Sequence, residues 1–259
     1  MILIDIGNSF LKWMVLPEDK AVESSIFKRF DHKQKSLSQF WSLVRQELNS
    51  YHLEQVSLLI SSVKDSTTRN LLESLPSWIA GSPFVAITDG SISSLKIAYQ
   101  EAENLGVDRW LAMNACLSLA KHGCVVVDAG TAITLDLLPN NSEHIGGFIV
   151  PGLSKQREAL LGSTEKVWTN KARAPKMVLG TNTDECVENG IFAQISNFIV
   201  TQAMRFDVDN LVFTGGDGFL LYSNIRPILE SKNLTVQFRP NLVFEGLLAI
   251  YKKYHKKMQ

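Results

Sequence analysis

Cysteine is scarce in this chain: three residues in 259, Cys116, Cys124 and Cys186, with no C-x-x-C spacing and an odd total. That argues against a disulfide framework or a cysteine zinc site, and for a reducing compartment where the thiols pack as small apolar groups. The five histidines (His32, His52, His122, His144 and His255) show no metal-ligand spacing either. An excess of charge is also missing, with 26 basic residues against 26 acidic ones. A zero balance argues against nucleic-acid or anionic-membrane partners, both of which need a concentrated positive field. No apolar run approaches the roughly 18 residues that a spanning helix requires. The chain opens directly on an apolar run without a basic leader, so a cytoplasmic protein is expected. Familiar motifs are absent too: the G-x-x-x-x-G-K-S/T phosphate loop, a G-x-G-x-x-G turn after the first strand, and the G-x-S-x-G nucleophile elbow. No Gly/Ser linker or low-complexity segment divides the chain, so any two halves should abut directly.

What is present is an ordinary globular composition, 45% hydrophobic and 20% charged, in a chain long enough for one large domain or two smaller ones. The stretch from Cys124 to Leu138 organises the rest. Val125-Val126-Val127 reads as a strand covered on both faces, because a continuous β-branched run suits that environment. Asp128 then lands at the strand end, Ala129-Gly130-Thr131 turns, and residues 132–138 return as a hairpin. A carboxylate beside a glycine turn can hold a cation while backbone N–H groups face an anion; a plain hairpin turn is the bland alternative. The chain's beginning repeats the pattern, with the apolar run 1–4, then Asp5-Ile6-Gly7-Asn8-Ser9 and a return strand over 10–16. Two copies about half the chain apart predict a duplicated domain, divided at 1–118 and 119–259, whose two turns could clamp a polyphosphate.

Between these landmarks, periodicity predicts a third strand over 22–30, an amphipathic helix over 35–50 and a strand over 55–61. A short helix from Ser66, capped by Ser66 or Thr67, stops before Pro76, and a strand follows over 84–87. This β-β-β-α-β-α-β order is that of a ribonuclease-H-like unit. Residues 91–105 read as loop. Gly106-Val107-Asp108-Arg109 introduces a helix lined by Trp110 and Leu111 and ended by Gly123. The second half predicts strands over 125–128, 132–138 and 144–150, a helix opening near Pro151, a long helix over 183–205, and a strand over 211–213 ending in Thr214-Gly215-Gly216-Asp217-Gly218. A closing helix over 241–254 precedes a solvated basic tail over 252–257. The tryptophans Trp13, Trp41, Trp78, Trp110 and Trp168 read as core or interface residues.

The set Asp5-Ile6-Gly7-Asn8-Ser9 with Lys12, Gly106-Val107-Asp108-Arg109, Asp128-Ala129-Gly130-Thr131, the 146–152 segment Gly-Gly-Phe-Ile-Val-Pro-Gly, and Thr214-Gly215-Gly216 resembles the type III pantothenate kinases over essentially the whole chain. The resemblance implies an α/β fold of two duplicated ribonuclease-H-like, actin-like domains with mixed β-sheets and a cleft between them. It implies ATP-dependent phosphorylation of the primary hydroxyl of pantothenate, the first step of coenzyme A synthesis, by a homodimer using Mg²⁺ with ATP and a monovalent cation (K⁺ or NH₄⁺). Carried over by motif, Asp5, Ile6, Gly7, Asn8, Ser9, Phe10, Leu11 and Lys12 form the first phosphate loop. Thr131 touches the ATP phosphates and Asp128 holds the monovalent cation. Asp108 is the proton acceptor, and Tyr99, Gly106, Val107, Asp108, Arg109 and Thr183 hold pantothenate. The resemblance also places the helix from Arg109 near the dimer interface and Thr214-Gly215-Gly216 near the adenosine. Ser9 keeps the hydroxyl of the family's threonine, whereas Val167-Trp168 replaces its Leu-Pro.

Each assignment has a structural counterpart. Asp108 can serve as an N-cap, Thr183 as the cap of the long helix, Arg109 as a surface ion-pair partner, and Lys12 as a solvated strand residue. The rival function is a non-enzymatic transcription accessory protein on the same fold; Asp5, Asp108, Arg109 and Asp128 together favour the enzyme.

Overall fold

A computed structural model describes residues 1–119, 122–139, 143–163, 175–206 and 208–258. Trp168 and its neighbour Val167 lie outside the described residues. In chain order the elements are β1 (Ile2–Ile6), β2 (Leu11–Val15), β3 (Lys28–Phe30), α1 (Leu37–Ser50), β4 (Leu58–Ser62), α2 (Asp65–Glu73), β5 (Phe84–Val85) and α3 (Val107–Cys116). Then follow β6 (Cys124–Ala129), β7 (Ala132–Leu138), β8 (Gly146–Pro151), α4 (Leu153–Gly162), α5 (Thr183–Arg205), β9 (Asn210–Thr214), α6 (Gly218–Glu230), β10 (Thr235–Phe238) and α7 (Leu242–Met258). The chain divides into two compact units, Met1–Ala115 with Asn241–Gln259, and Cys116–Pro240.

The first unit carries a sheet of order β3-β2-β1-β4-β5, in which β1, β2 and β3 run antiparallel and β4 and β5 are parallel to β1. The second carries β8-β7-β6-β9-β10 with the same directions. One topology therefore occurs twice, the ribonuclease-H-like order of actin-like proteins. Its logic is local: hairpins join the antiparallel strands, and the parallel pairs need helical crossovers, supplied by α1 and α2 in one unit and α5 and α6 in the other. The central strands β1 and β6 are aliphatic because they are covered on both faces; every residue of β1 is buried. Ile4, Leu11, Trp13, Phe40, Val44 and Ile60 belong to the first core, where the Trp13 and Phe40 rings meet edge-on at 5.8 Å. Val127, Leu135, Phe192, Ile199, Phe213 and Leu221 belong to the second.

Several elements differ from the sequence expectation. β3 spans only residues 28–30 of the expected 22–30. Helix α2 begins at Asp65, before Ser66, and its first turn is braced by the Thr68 hydroxyl donating to the Lys64 carbonyl at 2.9 Å. Pro151 closes β8 instead of opening a helix, and Gly152 stands at the start of α4. Residues 218–238, left unread by periodicity, form α6 and β10; Pro227 sits inside α6 and interrupts the helical signal. The basic residues at the chain end are the last turns of α7, where positive charge complements the helix dipole. Trp13, Trp41 and Trp110 are core residues, as expected. The buried Cys124 thiol is held well above its usual pKa, first by a hydrogen bond with Cys116 and then by burial, which keeps it a neutral packing group.

Helix α7 groups with the first unit, whereas the division expected at 119–259 puts it in the second. The reason is a backbone approach: a Cβ on Gly246 would come within 2.0 Å of the Leu111 carbonyl oxygen. Asn241, just before α7, adds donor bonds from Nδ2 to the carbonyls of Val22 and Ser25, both at 2.6 Å. Gly246→Ala should therefore force α7 away from α3 and cost about 2–3 kcal/mol, as overpacking of a tight core does. Urea unfolding with an unchanged midpoint would contradict this packing.

Candidate active site

The first turn follows from β1 and β2 being a hairpin. Gly7 N donates to the Phe10 carbonyl at 3.1 Å, and a Cβ on Gly7 would sit 3.3 Å from that oxygen. His32 Nε2 lies 3.3 Å from the Gly7 carbonyl and braces the turn from outside. Asp5 faces Lys12 across the β1–β2 register and Ser61 across β1–β4. The residue is 6% exposed, and its carboxylate accepts a hydrogen bond from Ser61 Oγ at 3.1 Å and lies 3.6 Å from Lys12 Nζ. Burial of a carboxylate requires such partners. Ile6 and Leu11 are fully buried, so only their backbone groups are positioned to meet a ligand, while Asn8 and Phe10 are exposed. Ser61, at the end of the strand expected over 55–61, is a partner here that no sequence motif marked.

In the second unit the corresponding turn is Gly130-Thr131, closed by Gly130 N donating to the Ala132 carbonyl at 2.9 Å. Asp128 is half-buried near the end of β6, and Thr131 is exposed at the tip. Two glycines pack directly on this turn. A Cβ on Gly152 would lie 2.1 Å from the Gly130 carbonyl oxygen, and Gly152 N donates to the Thr131 carbonyl at 3.0 Å. Gly215, with φ +89°, would place a Cβ 2.3 Å from the Ala129 oxygen and 2.4 Å from Asp128 Oδ1. Asp217 N donates to the Ala129 carbonyl at 2.9 Å. The two glycine motifs singled out in the sequence are thus braces of one turn, which their spacing alone could not reveal.

The Gly106-Val107-Asp108-Arg109 segment is the start of α3. Its first helical hydrogen bond runs from Trp110 N to the Gly106 carbonyl at 3.0 Å, so Asp108 sits inside the first turn and is not the N-cap. Asp108 Oδ1 accepts from Arg109 N at 2.8 Å and lies where a Cβ on Gly106 would collide, at 2.7 Å. Arg109 is only 7% exposed; its Nη1 donates to Tyr99 Oη at 2.9 Å, and its guanidinium stands 5.7 Å from the Tyr99 ring centroid. Arg109 is therefore no surface ion-pair residue. The loop carrying Tyr99 is tied to α3 through Ser93 Oγ on Asn114 Oδ1, and the Leu105 carbonyl accepts from Thr88 Oγ1 at 2.9 Å. Tyr99, Gly106, Val107, Asp108 and Arg109 thus form one cluster in the first unit. Thr183 opens α5 in the second unit, where it is exposed; the cap is Asn182, whose side chain accepts from Glu185 N at 3.0 Å.

A buried guanidinium beside a carboxylate at a helix start can bind an anionic group while the carboxylate takes a proton from a neighbouring hydroxyl. Among the described residues no group of three or more His, Cys, Asp or Glu side chains could hold a metal ion. Asp128, one carboxylate crowded by backbone oxygen, offers hard donors suited to a weakly bound cation.

Residues 1–205 match the sequence profile described as type III pantothenate kinase. A type III pantothenate kinase from Pseudomonas fluorescens is 35% identical over 257 residues, covering 94% of this chain and 96% of that one. Among solved structures, a Baf-family protein from Campylobacter jejuni superposes with a TM-score of 0.60 at 23% identity, over 99% of this chain and all of the other. MreB 5 of Spiroplasma citri superposes at 0.51 with 10% identity, over 99% and 97% of the two chains. At such identities the structural likenesses speak for the actin-like fold alone. With the profile spanning most of the chain and the sequence relative spanning nearly all of it, this chain belongs to the type III pantothenate kinase family.

Proposed function

We propose that this protein transfers the γ-phosphoryl group of ATP to the primary hydroxyl of pantothenate, giving 4'-phosphopantothenate for coenzyme A synthesis. The observation that carries the assignment of roles is the Tyr99–Arg109–Asp108 cluster at the start of α3. Arg109, held by Tyr99, receives the pantothenate carboxylate. Asp108 orients the hydroxyl and accepts its proton as the oxygen attacks the γ-phosphorus and the bond to ADP breaks. Such a transition state is loose, so a base of ordinary carboxylate strength that takes the proton late is sufficient. Phosphate contacts are assigned to the backbone of residues 5–12, to Lys12 and to Thr131, with Thr183 contributing to pantothenate. Mg²⁺ arrives with the nucleotide and neutralises phosphate charge, and a monovalent cation at Asp128 relieves repulsion between that carboxylate and bound anions. Metabolic chemistry of this kind is consistent with a cytoplasmic site of action. The transcription accessory reading has only a fold likeness behind it and leaves the buried Arg109 without a task.

We further assign the protein to a homodimer. The helix from Arg109 is expected close to the interface, with Trp110, Leu111, Ala112 and Met113 packed inside the protomer. The edge strand β8 is a further candidate for the contact, since Phe148 and Ile149 stand 39% and 61% exposed there. Exposed apolar edges are normally covered.

Asp108→Asn should leave ATP binding nearly unchanged and lower turnover by about two to four decades in a coupled ADP-release assay. A variant that unfolds yet keeps its turnover per folded molecule would return Asp108 to a purely structural role. Replacing potassium by sodium should weaken ligand binding, and Asp128→Ala should abolish that difference along with most activity; equal rates of the unmodified enzyme in both salts would remove Asp128 from cation binding. Sedimentation velocity at micromolar concentration should give a dimer that Ile149→Lys converts to monomer, and an active unmodified monomer would refute the homodimer.

A further inference from the structure

Strand register in the first unit sets four unlike side chains in one row. Asp5 pairs with Ser61 on β4 and with Lys12 on β2, and Lys12 pairs in turn with Arg29 on β3. Directly paired residues share a sheet face, so hydroxyl, carboxylate, ammonium and guanidinium stand side by side across β4-β1-β2-β3. The neighbour of Arg29 shows the alternation. Lys28 belongs to the opposite face, where it pairs with Glu47 and stands 5.3 Å from the Trp13 ring centroid.

Charge along this row is unevenly matched. Ser61 and Lys12 attend to Asp5, whereas Arg29 makes no ion pair among the described residues. The Arg29 guanidinium stands 5.9 Å from the Phe27 ring centroid, and the Lys12 ammonium stands at the same distance from that ring. Two cations on adjacent strands thus meet one aromatic ring, with the Cα atoms of such a pair about 4.5–5.5 Å apart. Like charges opposite each other on a sheet are unfavourable, and a single carboxylate offsets only one of them. Arg29 is exposed on an edge strand, so an incoming anion can reach it.

The row also lies beside the first turn. Asp5 is one residue from the end of β1, Lys12 is the second residue of β2, and Arg29 is one residue from the end of β3. The chain leaving β3 then meets the turn itself, where His32 Nε2 lies 3.3 Å from the Gly7 carbonyl. An anion held by the two cations therefore adjoins the backbone of the turn. A phosphoryl group fits this pair well. A guanidinium presents two parallel N–H donors to two oxygens of one phosphate, while an ammonium holds another oxygen as a point charge.

We propose that Arg29 and Lys12 together clasp one phosphoryl group of the bound nucleotide, with Arg29 donating two N–H bonds to its oxygens. The inference rests on the reading of residues 5–12 as the ATP phosphate loop. It adds to that loop a residue from β3 that belongs to none of the motifs marking the site.

The test is calorimetric titration of the full chain, in magnesium, with ATP and with inorganic tripolyphosphate, which has the phosphate chain without base or sugar. Arg29→Gln should weaken both ligands about tenfold, the usual worth of a hydrogen bond between charged groups, and Arg29→Lys about threefold. Lys28→Gln removes the same charge one residue away on the other face and should change either affinity less than twofold. In the coupled assay Arg29→Gln should raise KM for ATP and leave KM for pantothenate unchanged. Affinities of Arg29→Gln within twofold of the unmodified protein would overturn the clasp. So would an equal loss in Lys28→Gln, which signals net charge alone, or failure of the unmodified protein to bind either anion. Should Arg29→Gln not fold, Arg29→Lys decides: affinities equal to those of the unmodified protein remove Arg29 from the phosphate. Tripolyphosphate binding needs neither acceptor nor turnover. A protein that binds it through Arg29 yet ignores pantothenate keeps the clasp and loses only the substrate assignment.

Discussion

A strand covered on both faces and paired on both edges tolerates a charge only where partners are supplied, and in the central strand of each unit that place is near the end. β1 and β6 are such strands, and each carries its single carboxylate, Asp5 or Asp128, one residue before it stops. Neighbouring strands must then supply what water cannot. Ser61 and Lys12 do so for Asp5, while the β9–α6 corner closes on Asp128 so tightly that Gly215 has no room for a Cβ. The turn glycines, the register of the hairpins and the positions of the following helices are all adjusted to these two ends.

The start of α3 obeys a different requirement. A guanidinium as buried as that of Arg109 loses its hydration and must recover polar partners nearby. Tyr99 provides one, which is why the irregular loop over 91–105 has to be anchored through Ser93 and Asn114. Loop order here serves the charge, and the charge suits a carboxylate-bearing substrate. The folded-back Asp108 side chain needs the bare Cα of Gly106 beneath it, which gives the glycine of this motif a steric reason.

Much of the fold was legible because the two halves use the same signals. An aliphatic run, then Asp, a spacer, Gly and polar residues was readable at both positions, and the β-β-β-α-β-α-β order followed from periodicity. The elements that escaped notice did so for physical causes. Pro227 lies inside α6 and masks a helix held by Leu221, Ile225 and Leu229 against the core. The short β10 strand owes its existence to a parallel neighbour, and a four-residue strand has too little pattern of its own.

Local sequence determined the strand–turn–strand units, the identity of the charged residues near their ends and the helix that begins at Gly106-Val107-Asp108-Arg109, because each depends on residues within a few positions of one another. Only the tertiary structure decided that α7 belongs with the first unit, that Ser61 satisfies Asp5, and that Gly152 and Gly215 brace the same turn. Those outcomes depend on how closely two backbones far apart in the chain can approach, and the missing Cβ of a glycine permits such an approach without naming the partner.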